Sequence, residues 1–209
     1  MSILNRIAHF QNRRDEVPNQ ELARELAAQK DREGIREIAE NLWNKDKNIQ
    51  ADCIKVLYEI GYIDPSLIAD YVEDYLKLLK SRNNRLVWGA MIALSTVATL
   101  KADVIFEHLQ VVYRAIEQGS VITVDGGVLT LAGVASAREE YRQAIFPFLL
   151  NHLRTCRPKD VPQHSEKSLP AVDASNKDEF IAVLEKRMDD LTATQVKRVK
   201  KVIQEAASR

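Results

Sequence analysis

Residues Leu86 to Val97 read LVWGAMIALSTV, and four of them carry the pattern that decides the fold. Leu86, Ala90, Leu94 and Val97 are spaced by four, four and three residues, so they share one face of a helix with 3.6 residues per turn. The same set stands 37 residues earlier as Ile49, Cys53, Leu57 and Ile60, and 37 residues later as Thr123, Gly127, Leu131 and Val134. A fourth copy, Val161, Ser165, Leu169 and Val172, stands one residue late throughout, which puts an inserted residue in the Thr155 to Lys159 connection. A second apolar segment precedes each copy. Its columns, Ile35, Val72, Leu109 and Phe146, then Ile38, Tyr75, Val112 and Leu149, then Leu42, Leu79, Ile116 and Leu153, keep the interval without a gap. Two helical segments per period, each with one apolar face, bury those faces only by stacking on their neighbours. The pattern specifies an all-α protein, a right-handed α-solenoid (α-α superhelix) of about five helix pairs with an N-terminal helical cap.

Working outward, the spacing predicts one domain over residues 1–209: capping helices over 1–30, repeats over 31–191, and a basic capping helix over 192–209. Pro18 and Asn19 open a helix near its start, where Pro is tolerated. Asp31 is an N-cap candidate for an outer helix over Arg32 to Trp43, and Gly61 is the expected stop of the first inner helix. Asp64 with Pro65 opens a second outer helix to Leu79, and Ala102 to Gln118 makes a third. Asn176 with Glu179 reads as a capping box for the last outer helix.

Composition is that of a folded chain: 45% apolar and 29% charged, with 30 basic and 30 acidic residues. No global field draws such a molecule to nucleic acid or an anionic membrane. No window is apolar enough to span a bilayer and no secretory apolar run opens the chain, so the expectation is a cytoplasmic protein. Cys53 and Cys156 lie nearly three repeats apart and read as small buried fillers. Neither stands in a CxxC pair, and neither is read as standing beside a His at ligand spacing, so no metal and no cofactor is expected.

The inner-helix pattern of an aliphatic residue, a small residue, Leu, then Ile or Val resembles the HEAT and armadillo-like repeat families. Pro147 looks like the proline that many such repeats carry in the outer helix. The resemblance covers about Glu33 to Ala206 and points to no characterised subfamily: the position after the first aliphatic residue, often Arg in typical repeats, holds Gln50, Val87, Val124 and Pro162 here.

In a solenoid the inner helices line the concave surface that usually binds partners. The positions opposite the buried Leu column are Asn48, Asp52, Lys55 and Glu59, then Arg85, Gly89, Ile92 and Thr96, then Ile122, Gly126, Leu129 and Gly133, then Asp160, His164, Lys167 and Ala171. A Gly inside a helix costs about 1 kcal/mol against Ala, so Gly89, Gly126, Gly127 and Gly133 have a reason: close packing, or a shallow groove for a partner segment. The expected partner-binding set is Arg85, Trp88, Gly89, Ile92, Asp125, Gly126, Leu129, His164 and Lys167. Lys197, Arg198, Lys200 and Lys201 make the C-terminal end basic and are candidates for phosphate contact. No GxSxG, phosphate-cradling Gly loop or HExxH is present, so no catalytic residue is assigned.

These readings favour a non-enzymatic repeat scaffold that binds a macromolecular partner, a protein or peptide segment first, on its concave face. The alternative is nucleic-acid binding: the resemblance extends to HEAT-like DNA glycosylases that use aromatic residues and an Asp in the concave cleft, and Trp88 and Asp125 occupy equivalent positions on adjacent inner helices. Self-association through the apolar middle of the inner face is a third course, and the sequence leaves the oligomeric state open.

Overall fold

A computed structural model describes residues 2–209. It contains α-helices and 3-10 turns, and no strand among the described residues. The helices are α1 (Val17–Gln29), α2 (Arg32–Glu40), α3 (Lys47–Ile63), α4 (Val72–Leu78), α5 (Asn84–Val97), α6 (Ala102–Glu107), α7 (Leu109–Gln118), α8 (Val121–Ala137), α9 (Glu139–Thr155), α10 (Val161–Ser168), α11 (Lys177–Arg187) and α12 (Ala193–Ala207). Packing divides the chain into two compact units, one ending at Gly127 and one running Val128–Arg209.

In the first unit α3 is the centre, packed against α1, α2 and α5, while α5 also packs on α4. In the second, α9 packs on α10 and α11, and α12 lies against both α10 and α11. The repeating columns are the core. Leu42, Leu79, Ile116 and Leu153 are buried, as are Leu57, Leu94, Leu131 and Leu169. Full burial of such a side chain stabilises by about 1.5–3 kcal/mol, so each column is a substantial fraction of the folding free energy. Leu109 alone among the columns is only half-buried.

Helix starts follow local chemistry. The side chains of Asp31, Asp46 and Asp64 accept from the backbone N–H groups of Gly34, Asn48 and Ser66 at 2.9, 2.7 and 3.1 Å, each satisfying a donor that the first turn leaves orphaned. Two helix ends differ from the sequence expectation. Asn176 makes no capping bond to its helix; its amide spans Asp173 N–H and the Ala171 carbonyl instead. The capping box lies at the next helix, between Thr192 and Gln195. Gly61 does not stop α3, which continues to Ile63. Gly61 is buried where a Cβ would come within 2.3 Å of Thr96 Oγ1 and 2.8 Å of Ile68 Cδ1.

The outer segments of the second and third repeats are also not single helices. Turns at Pro65–Leu67 and Ala69–Tyr71 lead into α4 from Val72, and α6 gives way at His108 to α7 from Leu109. Val72 and Leu109 are 37 residues apart, so the break recurs with the repeat. At each break a side chain takes up a carbonyl: the Tyr75 hydroxyl donates to Ile68 O at 3.3 Å, and the His108 ring N–H to Val104 O at 2.9 Å. In the fourth repeat α9 runs through, with Pro147 inside it and exposed. Pro147 has no N–H to give the carbonyl of residue 143, and both residues are exposed, where water can replace the lost donor.

Candidate functional site

The first unit carries a cleft of about 650 Å³ between the N-terminal segment and helices α3 and α5. Its walls are residues 12–16 with Ala8 and His9 on one side, and Asn48, Asp52, Lys55, Arg85 and Trp88 on the other. One polar node fixes the near wall. The Asn19 side chain is buried; its oxygen accepts from Ala8 N–H at 2.9 Å and its amide donates to Asp52 Oδ1 at 2.9 Å. The other Asp52 oxygen accepts from His9 N–H at 2.7 Å.

Lys55, expected on an open surface, is buried by the same segment. Its ammonium lies 2.8 Å from Glu16 and 2.7 Å from Glu59, and 4.8 Å from the centre of the Tyr58 ring. Burial works against its charge, and the hydrogen bonds to Glu16 and Glu59 outweigh it, so the Lys55 pKa rises above the usual lysine range. Lys55 is therefore a fixed, neutralised strut. Arg14 and Arg85 differ: both are exposed on the cleft wall, and neither has an ion-pair partner among the described residues. Beside them Trp88 is half-buried, its ring 6.1 Å from that of Tyr58. The cleft thus offers an aromatic surface flanked by two uncompensated guanidinium groups, suited to planar, bidentate contact with carboxylates.

The remaining expected binding residues are placed as follows. Ile92 is half-buried on α5 and Asp125 half-buried on α8. Gly89 and Gly126 are buried in helix packing: a Cβ on Gly89 would lie 2.8 Å from Ile54 Cγ1, and one on Gly126 3.1 Å from Met91 Cγ. They let helices approach and present no open backbone, as does Gly127, whose Cβ would meet Ile116 at 2.3 Å. In the second unit Leu129 and Lys167 are half-buried, and His164 is buried. Of the C-terminal basic residues, Lys197, Lys200 and Lys201 are exposed, while Arg198 is held by both oxygens of Glu166 at 3.0 and 2.7 Å. That pairing removes Arg198 as an uncompensated phosphate contact.

No known protein-family model matches the chain, and no curated protein does. Solved structures do. A crystal structure of an engineered protein superposes with a TM-score of 0.69 over 100% of this chain and 98% of its own, at 19% identity. A designed armadillo repeat protein in complex with the peptide (KR)4 gives 0.69 over 90% and 85%, at 14% identity. Computationally designed armadillo repeat proteins for modular peptide recognition give 0.68 over 97% and 98%, at 12% identity. The fold is that of the armadillo-like repeat proteins. No helix among the described residues is long and apolar enough to cross a membrane.

The second unit of this armadillo-like chain holds a cluster that the sequence reading passes over. His152, Cys156 and His164 bring one ring nitrogen each and the thiol sulfur within 4.8 Å of one another. His152 stands four residues before Cys156, so their placement on one helical face was visible in the spacing. His164 was not: its approach depends on the packing of α10 against α9.

Proposed function

We propose that the chain is a non-enzymatic repeat scaffold that holds an extended, acidic protein segment in the cleft along α3 and α5. The observation that supports this is the pair of uncompensated arginines, Arg14 and Arg85, beside the half-buried Trp88. One designed neighbour of the same fold carries a basic peptide; here the exposed, unpaired charges of the cleft are Arg14 and Arg85, while the half-buried Asp52 is occupied by Asn19 and His9 N–H, so the preferred segment is acidic. The cleft walls are held by the Asn19 and Lys55 bonds before any partner arrives, so little receptor ordering opposes binding.

The test is fluorescence anisotropy with labelled acidic, neutral and basic peptides on a Trp43→Phe background, in which Trp88 is the remaining indole. Acidic peptides bind best and change the Trp88 emission. Arg85→Glu weakens them about tenfold, a loss of about 1.4 kcal/mol, with the helical circular dichroism unchanged. Equal binding of basic peptides, or an affinity indifferent to both Arg85→Glu and Trp88→Ala, would refute the assignment.

A further inference from the structure

The C-terminal end of α9 and the body of α10 converge on three side chains that no feature of the peptide cleft explains. His152 Nε2 and His164 Nδ1 are 2.8 Å apart, and their rings are 4.8 Å between centres. At that separation one nitrogen carries a hydrogen and the other presents its lone pair. Cys156 Sγ completes the triangle, with all three ligand atoms within 4.8 Å. His164 is buried, and His152 and Cys156 are half-buried, so an ion has a rigid floor and a path from solvent.

We propose that His152, Cys156 and His164 form a binding site for a divalent cation of the zinc class, with water as the fourth ligand. Imidazole nitrogens and a thiolate are the donors this ion takes, at about 2.0–2.1 and 2.3 Å in a tetrahedron. Tetrahedral bonds of that length set the donor atoms about 3.3–3.6 Å apart. The histidine nitrogens therefore open by about half an ångström and the sulfur closes in, movements within the reach of side-chain torsions. The shared hydrogen moves to the outer nitrogen of its ring, both imidazoles stay neutral, and the thiol proton goes to solvent. One proton is released per ion.

The helix end favours a bound cation. The site lies at the C-terminal end of a 17-residue helix, where the backbone dipole favours positive charge. That end already holds one cation: Arg187 donates to the carbonyls of Leu153 and Cys156 at 2.6 and 2.9 Å and is balanced by Asp190 at 3.0 Å.

Titration of the reduced full-length protein with cobalt(II), the optical stand-in for zinc, tests the site. One equivalent gives the intense visible bands of tetrahedral cobalt and a thiolate-to-cobalt charge-transfer band in the near ultraviolet, and zinc abolishes both. Cys156→Ser removes the charge-transfer band and His152→Ala weakens binding at least about tenfold, while Cys53→Ala changes neither. Calorimetry in two buffers of different ionisation enthalpy reads about one proton released per zinc. The proposal is overturned by a weak octahedral spectrum without thiolate absorption, by a charge-transfer band that survives Cys156→Ser in a protein of unchanged circular dichroism, or by no binding at stoichiometric cobalt.

Discussion

At the scale of single residues, Gly89 and Gly126 look alike in sequence and differ in what meets the missing Cβ. A periodic pattern says which face of a helix a glycine lies on, and it does not say what stands within 3 Å of the missing Cβ. Gly89 faces Ile54, branched at Cβ and buried, whereas Gly126 faces the flexible thioether chain of Met91. Gly89→Ala gains about 1 kcal/mol of helix propensity and loses about 1–3 kcal/mol by overpacking. We expect a net destabilisation of up to about 2 kcal/mol in urea titration, reversed in sign when Ile54→Ala is made in the same chain. Gly126→Ala, by contrast, ranges from neutral to about 1 kcal/mol stabilising, since Met91 can turn aside. Equal effects at the two positions would show that distance to the neighbouring side chain does not govern them. The same limit explains Gly61: its place near the end of an apolar run reads as a stop, and only the approach of Thr96 and Ile68 reveals it as a contact.

At the scale of elements, the repeat was legible because burial has a period, and its internal breaks were not because they depend on single polar contacts. The columns from Ile35 to Leu153 place the outer segments, and nothing in their spacing says that the Tyr75 hydroxyl or the His108 ring accepts the role of a missing backbone donor. The N-terminal segment is held the same way, by a few polar atoms. Asn19 is buried and binds Ala8 N–H and Asp52 at once. Asn19→Leu leaves a buried N–H and a carboxylate oxygen unpartnered, a loss of about 1–3 kcal/mol for each such group. The segment carrying Arg13 and Arg14 then loosens before the helices do. Brief trypsin digestion should cut there several-fold faster in Asn19→Leu than in the parent, with α3 and α5 intact by mass. An unchanged cleavage rate would mean that the remaining contacts, His9 N–H to Asp52 and Lys55 to Glu16, suffice to hold the wall, and it would leave the cleft geometry independent of Asn19.

At the scale of the whole molecule, the buried thiol of Cys53 and the buried phenols of Tyr58 and Tyr75 sit in the first unit, and this gives it a response to alkali. Burial pushes the Cys53 thiol and the Tyr58 hydroxyl each up to about 12, and it holds the Tyr75 hydroxyl well above the ordinary phenol range. In the unfolded chain a thiol loses its proton near pH 8.5 and a phenol near 10. Above those values the unfolded state holds fewer protons than the folded one, so stability falls as pH rises and continues to fall until the folded groups ionise. Each group contributes a slope of about 1.4 kcal/mol per pH unit across its window, with Cys53 acting first, from about pH 9 to 12. Trp43 and Trp88 both lie in this unit, so indole emission follows its unfolding. The unfolding free energy from urea titration read by emission should fall by about 1 kcal/mol or more between pH 9 and 10. Cys53→Ala should flatten that decline, because alanine is what the second repeat places in the same column at Ala90 and it has no proton to lose. A decline of equal slope in Cys53→Ala would assign the alkaline limb to the tyrosines, whose window opens about a unit higher.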